Sequence, residues 1–406
     1  MISDTETKGG AAIAASHLAE ALITTGHEIT RIIGIKNIDE NSNHPWKSKY
    51  VNSFPFEKIV LRGIEIPSKV LSNVISTALQ KLHLDKLLNE LQPDIINIHN
   101  IHGTKWSPEI VQTCEKHAPV VWTLHDMWSF TGRCAYNNNC RKFISGCDST
   151  CPTPNEYPAL SPNLIERSWK IRKKMFSDCE NLTAVCPSEW LANEAKKGLW
   201  RDHQVEIIPN GLPLKVFKSV EKQTARAELK IESKSPIILA AAQNINEKRK
   251  GGPILAAALE KVTTEPLTVL TFGSGKLEIK NKNVNIKNLG FITELEKILA
   301  YNAADLFVHP ALEDNLPNVV MESIACGTPV IGFTIGGVPD MVRPDITGWL
   351  IDEINSLNLA EMITYSLEKI NNETGLGHSC RRIAENEYSS ELQASRYISL
   401  FKSMIN

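Results

Sequence analysis

Short apolar runs alternate with amphipathic stretches along the chain, and that order predicts layered α/β structure. Ala11 to Leu22 carries apolar residues at helical spacing and is closed by Gly26, a C-cap residue. Ile29 to Ile35 then reads as a strand. Val70 to Leu91 is a second amphipathic helix, ended by Pro93. Asp94 to His99 and Pro119 to Leu124 are buried strands, each followed by polar residues. Leu182 to Val185 and Val205 to Ile208 continue the pattern. The opening strand is abnormally short, because only Met1-Ile2-Ser3 precedes Asp4; that predicts a trimmed sheet edge or a late start codon.

A second series begins at Pro236, with strands at Ile237 to Ala241, Leu267 to Phe272, Val284 to Leu289, Leu306 to His309 and Pro329 to Gly332. Between the series lie Pro209-Asn210-Gly211-Leu212-Pro213 and the charged stretch Lys218 to Lys234, which reads as an interdomain linker. The expectation is two doubly wound domains, residues 1–212 and 213–387, with a cleft between them. Open sheets of this kind bind ligands at the carboxyl ends of their strands, so strand exits are where chemistry is expected.

Composition narrows the function. The 406 residues suit two to three domains at roughly 150 each. With 42% hydrophobic and 22% charged residues the chain is neither disordered, collagenous nor a coiled coil. Lys+Arg number 44 against 46 Asp+Glu, a net charge of −2, so a general nucleic-acid binder is not expected. No window holds the roughly 18 apolar residues of a membrane span. Met1-Ile2-Ser3-Asp4 lacks the basic and apolar regions of a signal peptide, and the expected location is cytoplasmic. Nine cysteines in such a chain are expected as thiols or metal ligands before disulfides.

Four places at strand exits or loops could carry chemistry. Lys8-Gly9-Gly10 precedes the first helix, where glycine allows close backbone approach and amides suit an anion, although a plain tight turn would look the same. His125-Asp126 follows a buried strand directly; the histidine could donate a hydrogen bond or shuttle a proton, with Asp126 setting its tautomer. His99 and His102 leave the neighbouring strand. Arg249-Lys250-Gly251-Gly252 opens a helix after the first strand of the second series, a setting for a diphosphate. Glu313-Asp314-Asn315-Leu316-Pro317-Asn318-Val319-Val320-Met321-Glu322 then runs from a strand into a helix. Amides over 316–319 can point at phosphate, Glu322 can accept from two ribose hydroxyls, and Asp314 can do so for a sugar ring.

With the sequel Ala325-Cys326-Gly327-Thr328-Pro329 and Gly336-Gly337, this pattern resembles family 4 of the retaining glycosyltransferases over nearly the whole chain. Gly9-Gly10, His125-Asp126, Pro209-Asn210-Gly211 and Lys250-Gly251 share in the resemblance, the block from Glu313 to Gly337 being its specific part. Trp122 to Gly132 looks like a bacterial subgroup building exopolysaccharide, capsule and envelope glycans. The resemblance implies two Rossmann-like domains of the GT-B fold: an acceptor domain first, a nucleotide-sugar donor domain second, and a final helix, about 388–406, crossing back. It implies a UDP-sugar donor, UDP-glucose foremost, a glycan or lipid-linked acceptor, and retention without a catalytic metal or cofactor. His125, Lys250 and Asp314 would be catalytic. Gly9, Gly10, Arg249, Lys250, Gly273, Phe291, Ile292, Asn315, Leu316, Pro317, Asn318, Val319 and Glu322 would line the donor. Two positions depart from the family. Asp314 stands where Glu is common, and Gln243-Asn244 occupies a stretch that commonly holds Arg, leaving Arg249 to supply that charge.

Rival readings are a nucleotide-sugar epimerase on the same fold and a non-catalytic binding protein. Cys134, Cys140, Cys147 and Cys151 share one loop and leave a structural metal, free thiols and disulfides all open. Arg167, Lys170, Arg172, Lys173 and Lys174 cluster on one helix, either as a solvated face or as a peripheral contact with an anionic membrane or lipid-pyrophosphate acceptor.

Overall fold

The computed structural model describes residues 1–35, 44–51, 59–61, 64–66, 69–104, 106–232, 235–262, 266–372 and 375–405. The chain forms two compact units, Met1–Ile208 with Gln393–Asn406, and Pro209–Leu392.

The first unit holds strands β1 (Ile2–Ser3), β2 (Thr30–Ile33), β3 (Lys47–Tyr50), β4 (Ile59–Leu61), β5 (Ile64–Ile66), β6 (Ile96–Ile98), β7 (Val120–Thr123), β8 (Leu182–Cys186) and β9 (Gln204–Ile207). Seven form one sheet in the order β3-β2-β1-β6-β7-β8-β9, while β4 and β5 pair separately. Every neighbouring pair of the large sheet is parallel. Strands β6, β7 and β8 are buried along their whole length, which is why they read as unbroken apolar runs. The trimmed-edge expectation is corrected: two-residue β1 lies centrally, with Ile2 registered against both Ile32 and Ile98. The edge on that side is β3, whose Lys-Ser-Lys-Tyr sequence has no apolar run to betray it.

Helix Gly10–Thr24 packs its Leu18 and Leu22 with Val121, Val185 and, from helix Ser390–Ile405, Ala394, Tyr397 and Leu400. Tyr397 also shares a 2.8 Å hydroxyl hydrogen bond with Thr123 at the end of β7. The last helix thus completes the first unit's core.

The second unit holds β10 (Ile237–Asn244), β11 (Leu267–Ser274), β12 (Val284–Asn288), β13 (Leu306–His309), β14 (Val330–Phe333) and β15 (Gly348–Ile351). Their order is β12-β11-β10-β13-β14-β15, all parallel. Strand order reverses between β10 and β13, so the loops leaving these two strands flank the switch point. In the first unit β1 and β6 play the same part.

The charged stretch Lys218 to Lys234 is not simply a linker. Lys222–Glu228 is a helix, capped by the Glu221 carboxylate on the amides of Gln223 and Thr224. Its Arg226 is buried and reaches Asp305 at 2.8 Å, with Lys222 at 2.6 Å from the same carboxylate. Two of its charges grip an acid at the start of β13; residues 233–234 lie outside the described residues.

Candidate active site

In the first unit the loop after β1 is pinned from several sides. Asp4 accepts hydrogen bonds from the amides of Gly103 (2.8 Å) and Thr104 (3.0 Å), tying it to the loop after β6. Buried Arg31 donates to Ser16 at 2.6 Å and to Ser3 at 3.0 Å. Glu6 accepts from the Trp46 indole at 2.8 Å and from Ser48. Gly9 then enters helix Gly10–Thr24 at φ +95°, in the left-handed region that favours glycine, and no side chain caps that helix start.

Beside it, β6 and β7 deliver a cluster of rings. His125 is half-buried, and its Nε2 lies 2.9 Å from Nδ1 of fully buried His99. Burial pushes His125 down to about 4, against the pull of Asp126. Burial, and after it the His125 ring, hold His99 well below the usual histidine range. Asp126 was expected to orient His125; instead its Oδ2 lies 2.9 Å from Nε2 of His102, and its Oδ1 accepts from the Trp128 amide at 2.8 Å. Burial alone would raise the Asp126 carboxyl, but His102 and the hydrogen bonds prevail and lower it. His102 correspondingly rises despite its burial, pulled up by the Asp126 carboxylate.

In the second unit the exits of β10 and β13 are locked together. Gly251 takes φ +71°, and a Cβ there would stand 1.7 Å from the Pro310 carbonyl, so only glycine fits this crossing. The Leu312 amide donates to the Arg249 carbonyl at 2.8 Å. Lys250 Nζ is 2.6 Å from Asp314 Oδ2, Arg249 lies 3.8 Å from Oδ1, and His309 is 3.5 Å away. Asp314 is buried; burial opposes its ionisation, yet Lys250 foremost, then His309 and Arg249, hold it far below the carboxylate range. Arg249 also donates to the Glu313 carbonyl at 2.9 Å. Asn315, Leu316 and Pro317 are buried beside this cluster, and Pro317 is the N-cap residue of helix Asn318–Ala325. The start of a helix favours an anion, and this one follows closely in the chain on the loop that carries Asp314 with its two cations.

Glu322, within that helix, is buried and accepts from the Tyr301 hydroxyl at 2.8 Å, with Lys297 3.8 Å away. Gly273 donates its amide to Gly290 at 2.8 Å, which brings the loop after β11 beside Phe291 and Ile292. Phe291 is 79% exposed, an apolar ring standing in solvent, whereas Ile292 packs partly on the core. Sequence reasoning passed over His309, Tyr301, Lys297, Asp4 and Arg31. Of these only His309 carried a positional signal, as the last residue of an apolar strand.

The cysteine loop keeps the thiol alternative, and the reading of the basic helix is corrected in part. All nine cysteines are free thiols, and among the described residues no group of three or more His, Cys, Asp or Glu is placed to hold a metal. Burial pushes the Cys134 and Cys147 thiols up to about 12 and about 11. On helix Pro162–Asp178, Arg167, Lys170, Lys173 and Lys174 are exposed, but Arg172 is buried, 4.1 Å over the Trp128 ring and bonded to the Trp128 carbonyl at 3.1 Å. Among the described residues no helix is long and apolar enough to cross a membrane.

Two parallel sheets with ligand-ready switch points describe the GT-B fold of sugar transferases. The Anabaena protein Alr3699/HepE, solved with UDP-glucose, superposes with TM-score 0.70 at 14% identity, covering 99% of this chain and 98% of that one. The family model described as Glycosyltransferase Family 4 matches residues 8–216, and that described as Glycosyl transferases group 1 matches residues 235–369. The chain belongs to glycosyltransferase family 4, and it is an enzyme of the transferase class. WcaC of Escherichia coli, named as a colanic acid biosynthesis glycosyl transferase, is 26% identical over 325 residues, 77% of each chain. A GDP-mannose-dependent phosphatidylinositol monomannoside mannosyltransferase of Corynebacterium glutamicum is 26% identical over 259 residues, 59% of this chain and 67% of that protein. The epimerase reading finds no support in these relatives.

Proposed function

We propose that this transferase moves a hexosyl group from a nucleoside-diphosphate sugar to a glycan or lipid-linked glycan, with retention, in the assembly of a cell-surface polysaccharide. The observation that carries the reading is the Lys250–Asp314 pair with Arg249, held where the exits of β10 and β13 meet at the switch point of the second sheet. The relative named for colanic acid biosynthesis supports the pathway class.

In this reading the bond between the anomeric carbon and the β-phosphate oxygen breaks, and its electron pair stays on the phosphate. Lys250, Arg249 and the amides of Leu316 to Val319 stabilise that charge as it grows. The acceptor oxygen bonds to the same face of the anomeric carbon, and its proton passes to the departing phosphate. Fixed cations supply the charge stabilisation, so turnover needs no divalent metal. Asp314 orients Lys250. Glu322 takes the ribose hydroxyls, the Gly273 loop with Phe291 and Ile292 takes the base, and His125 hydrogen-bonds the donor sugar. Gly9 and Gly10 let the backbone come close to the donor at the helix start. The location is cytoplasmic, on the inner face of the membrane, where exposed Arg167, Lys170, Lys173 and Lys174 meet anionic headgroups.

UDP-glucose is the first donor to test, because HepE was solved with it, and GDP-mannose the second, because the mannosyltransferase uses it. The experiment incubates the protein with UDP-glucose, UDP-galactose, UDP-N-acetylglucosamine and GDP-mannose, with and without EDTA. Slow release of nucleoside diphosphate from one donor, untouched by EDTA, is expected. A new epimer of the donor, or release that requires a metal, overturns the reading.

A further inference from the structure

The contact between His99 and His125 has a direction, and the surroundings of His99 decide it. The ring centroids lie 5.2 Å apart, the planes are inclined by only 22°, and the nearest nitrogens are 2.9 Å apart. A nitrogen separation that short at that centroid distance means the rings meet end to end, nearly coplanar, rather than face to face. This is the geometry of an N–H···N hydrogen bond. Both rings are neutral at pH 7, since burial holds both below the usual histidine range. One proton therefore sits between them, on Nδ1 of His99 or on Nε2 of His125.

His99 Nε2 resolves the choice. It is buried and has no hydrogen-bond partner among the described residues. Were His99 the acceptor at Nδ1, its own proton would sit on Nε2 as a buried N–H donating to nothing. Were it the donor at Nδ1, only a lone pair would be stranded there. Orphaned buried N–H groups are the rarer and costlier outcome. The backbone around His99 allows no escape. Its amide donates to Ile2 at 2.8 Å, and its carbonyl accepts from the Trp122 indole at 3.2 Å.

We propose that His99 is a positioning residue that donates from Nδ1 to Nε2 of His125, fixing His125 as the Nδ1–H tautomer and making it a hydrogen-bond donor to the donor sugar. The consequence for substrate is specific: the sugar must offer His125 a hydroxyl oxygen as acceptor. The inference rests on the proposed role of His125, but the tautomer itself does not.

Long-range ¹H–¹⁵N NMR of the full chain, labelled at histidine, reads the tautomer of His125, with His125→Ala and His99→Leu spectra assigning the two rings. Wild type should show the proton on Nδ1. His99→Asn, whose amide nitrogen replaces Nδ1, should keep that state and most of the turnover. His99→Leu should lose it, lowering kcat on the order of 10–100-fold while nucleotide affinity holds. A proton on Nε2 of wild-type His125 overturns the proposal outright, and so does full turnover in a folded His99→Leu protein. If His99→Leu does not fold, the wild-type spectrum and the His99→Asn kinetics decide alone. Full turnover in His125→Ala instead defeats the role of His125 while leaving the tautomer result standing.

Discussion

Lys250 Nζ lies 2.6 Å from Asp314 Oδ2, and both side chains are withdrawn from solvent, at 18% and 10% exposure. The cation proposed to meet the donor diphosphate is thus held by an acid of its own unit. Removing Lys250 leaves the buried Asp314 carboxylate with only Arg249 at 3.8 Å and His309 at 3.5 Å to offset its charge.

Lys250→Ala should therefore act twice. Turnover should fall more than binding of the neutral sugar, since the charge Lys250 meets grows in the transition state. The fold should lose stability too, by less than the roughly 3–5 kcal/mol of a wholly unpaired buried charge, because Arg249 and His309 stay beside Asp314. The double variant Lys250→Met/Asp314→Asn should recover most of that stability and none of the activity. Urea melts and donor hydrolysis on the same preparations measure both effects.

Glu322→Gln keeps an acceptor for the buried Tyr301 hydroxyl and removes the charge. It should fold normally yet weaken nucleotide binding, because a hydrogen bond to a charged group is worth about 1.5–3 kcal/mol. Calorimetry with UDP and GDP checks this; unchanged affinity would move the ribose site elsewhere.

His125→Ala should leave nucleotide affinity nearly intact and cut turnover on the order of 10²–10³-fold, the loss expected of one well-placed donor. A merely structural histidine would instead lower the melting temperature, with activity following the folded fraction.

Acid should weaken the fold partly through this residue. His125 is lowered to about 4 in the folded chain, against 6.5 for an ordinary histidine. The unfolded chain takes up that proton first, so stability falls as pH drops from 6.5 towards 4. His102, which rises on folding, contributes with the opposite sign: its share is complete below the ordinary value and fades as pH climbs through the raised one. The urea midpoint of His125→Asn should consequently fall less steeply than wild type between pH 7 and about 4. Parallel curves would mean that the ring titrates normally in the native state.

Arg172→Leu should destabilise the fold, because its guanidinium is stacked on Trp128 and bonded to that residue's carbonyl. Changing Arg167, Lys170, Lys173 and Lys174 together to Gln should leave the melting temperature within about 2–4 °C of wild type, since surface changes are usually small. The same four changes should abolish flotation with anionic vesicles if the exposed basic face meets membrane.

Arg172 also shows what the chain discloses and what it hides. As one of five basic residues it looked solvated, yet it falls three residues after Trp169 and seven after Ile165, on the stripe buried with Met175 and Phe176. Helical spacing held the answer where counting charges did not. Strands β6, β7, β8, β10 and β13 were legible because two covered faces demand unbroken apolar runs. Strand β3 and helix Lys222–Glu228 were not, because one is a polar edge and the other is held by ion pairs. The residues Arg249, Lys250 and Asp314 could be nominated from strand exits and glycines. That Asp126 serves His102 rather than its neighbour His125 depends on which loops meet across β6 and β7, and no local pattern encodes that.

The Leu212 amide donates to the Tyr388 carbonyl at 2.8 Å and the Ser390 amide donates to the Leu212 carbonyl at 2.9 Å, so the second unit begins and ends at one place. The second unit is in effect a long insertion within the first, whose missing piece is helix Ser390–Ile405. On the ribosome this reverses the order of completion. The unit made first must wait, with Leu18, Val121 and Val185 uncovered, until the unit made second has emerged and Tyr397 arrives. A message cut short by a few dozen codons would therefore spoil the half of the protein that had been synthesised longest.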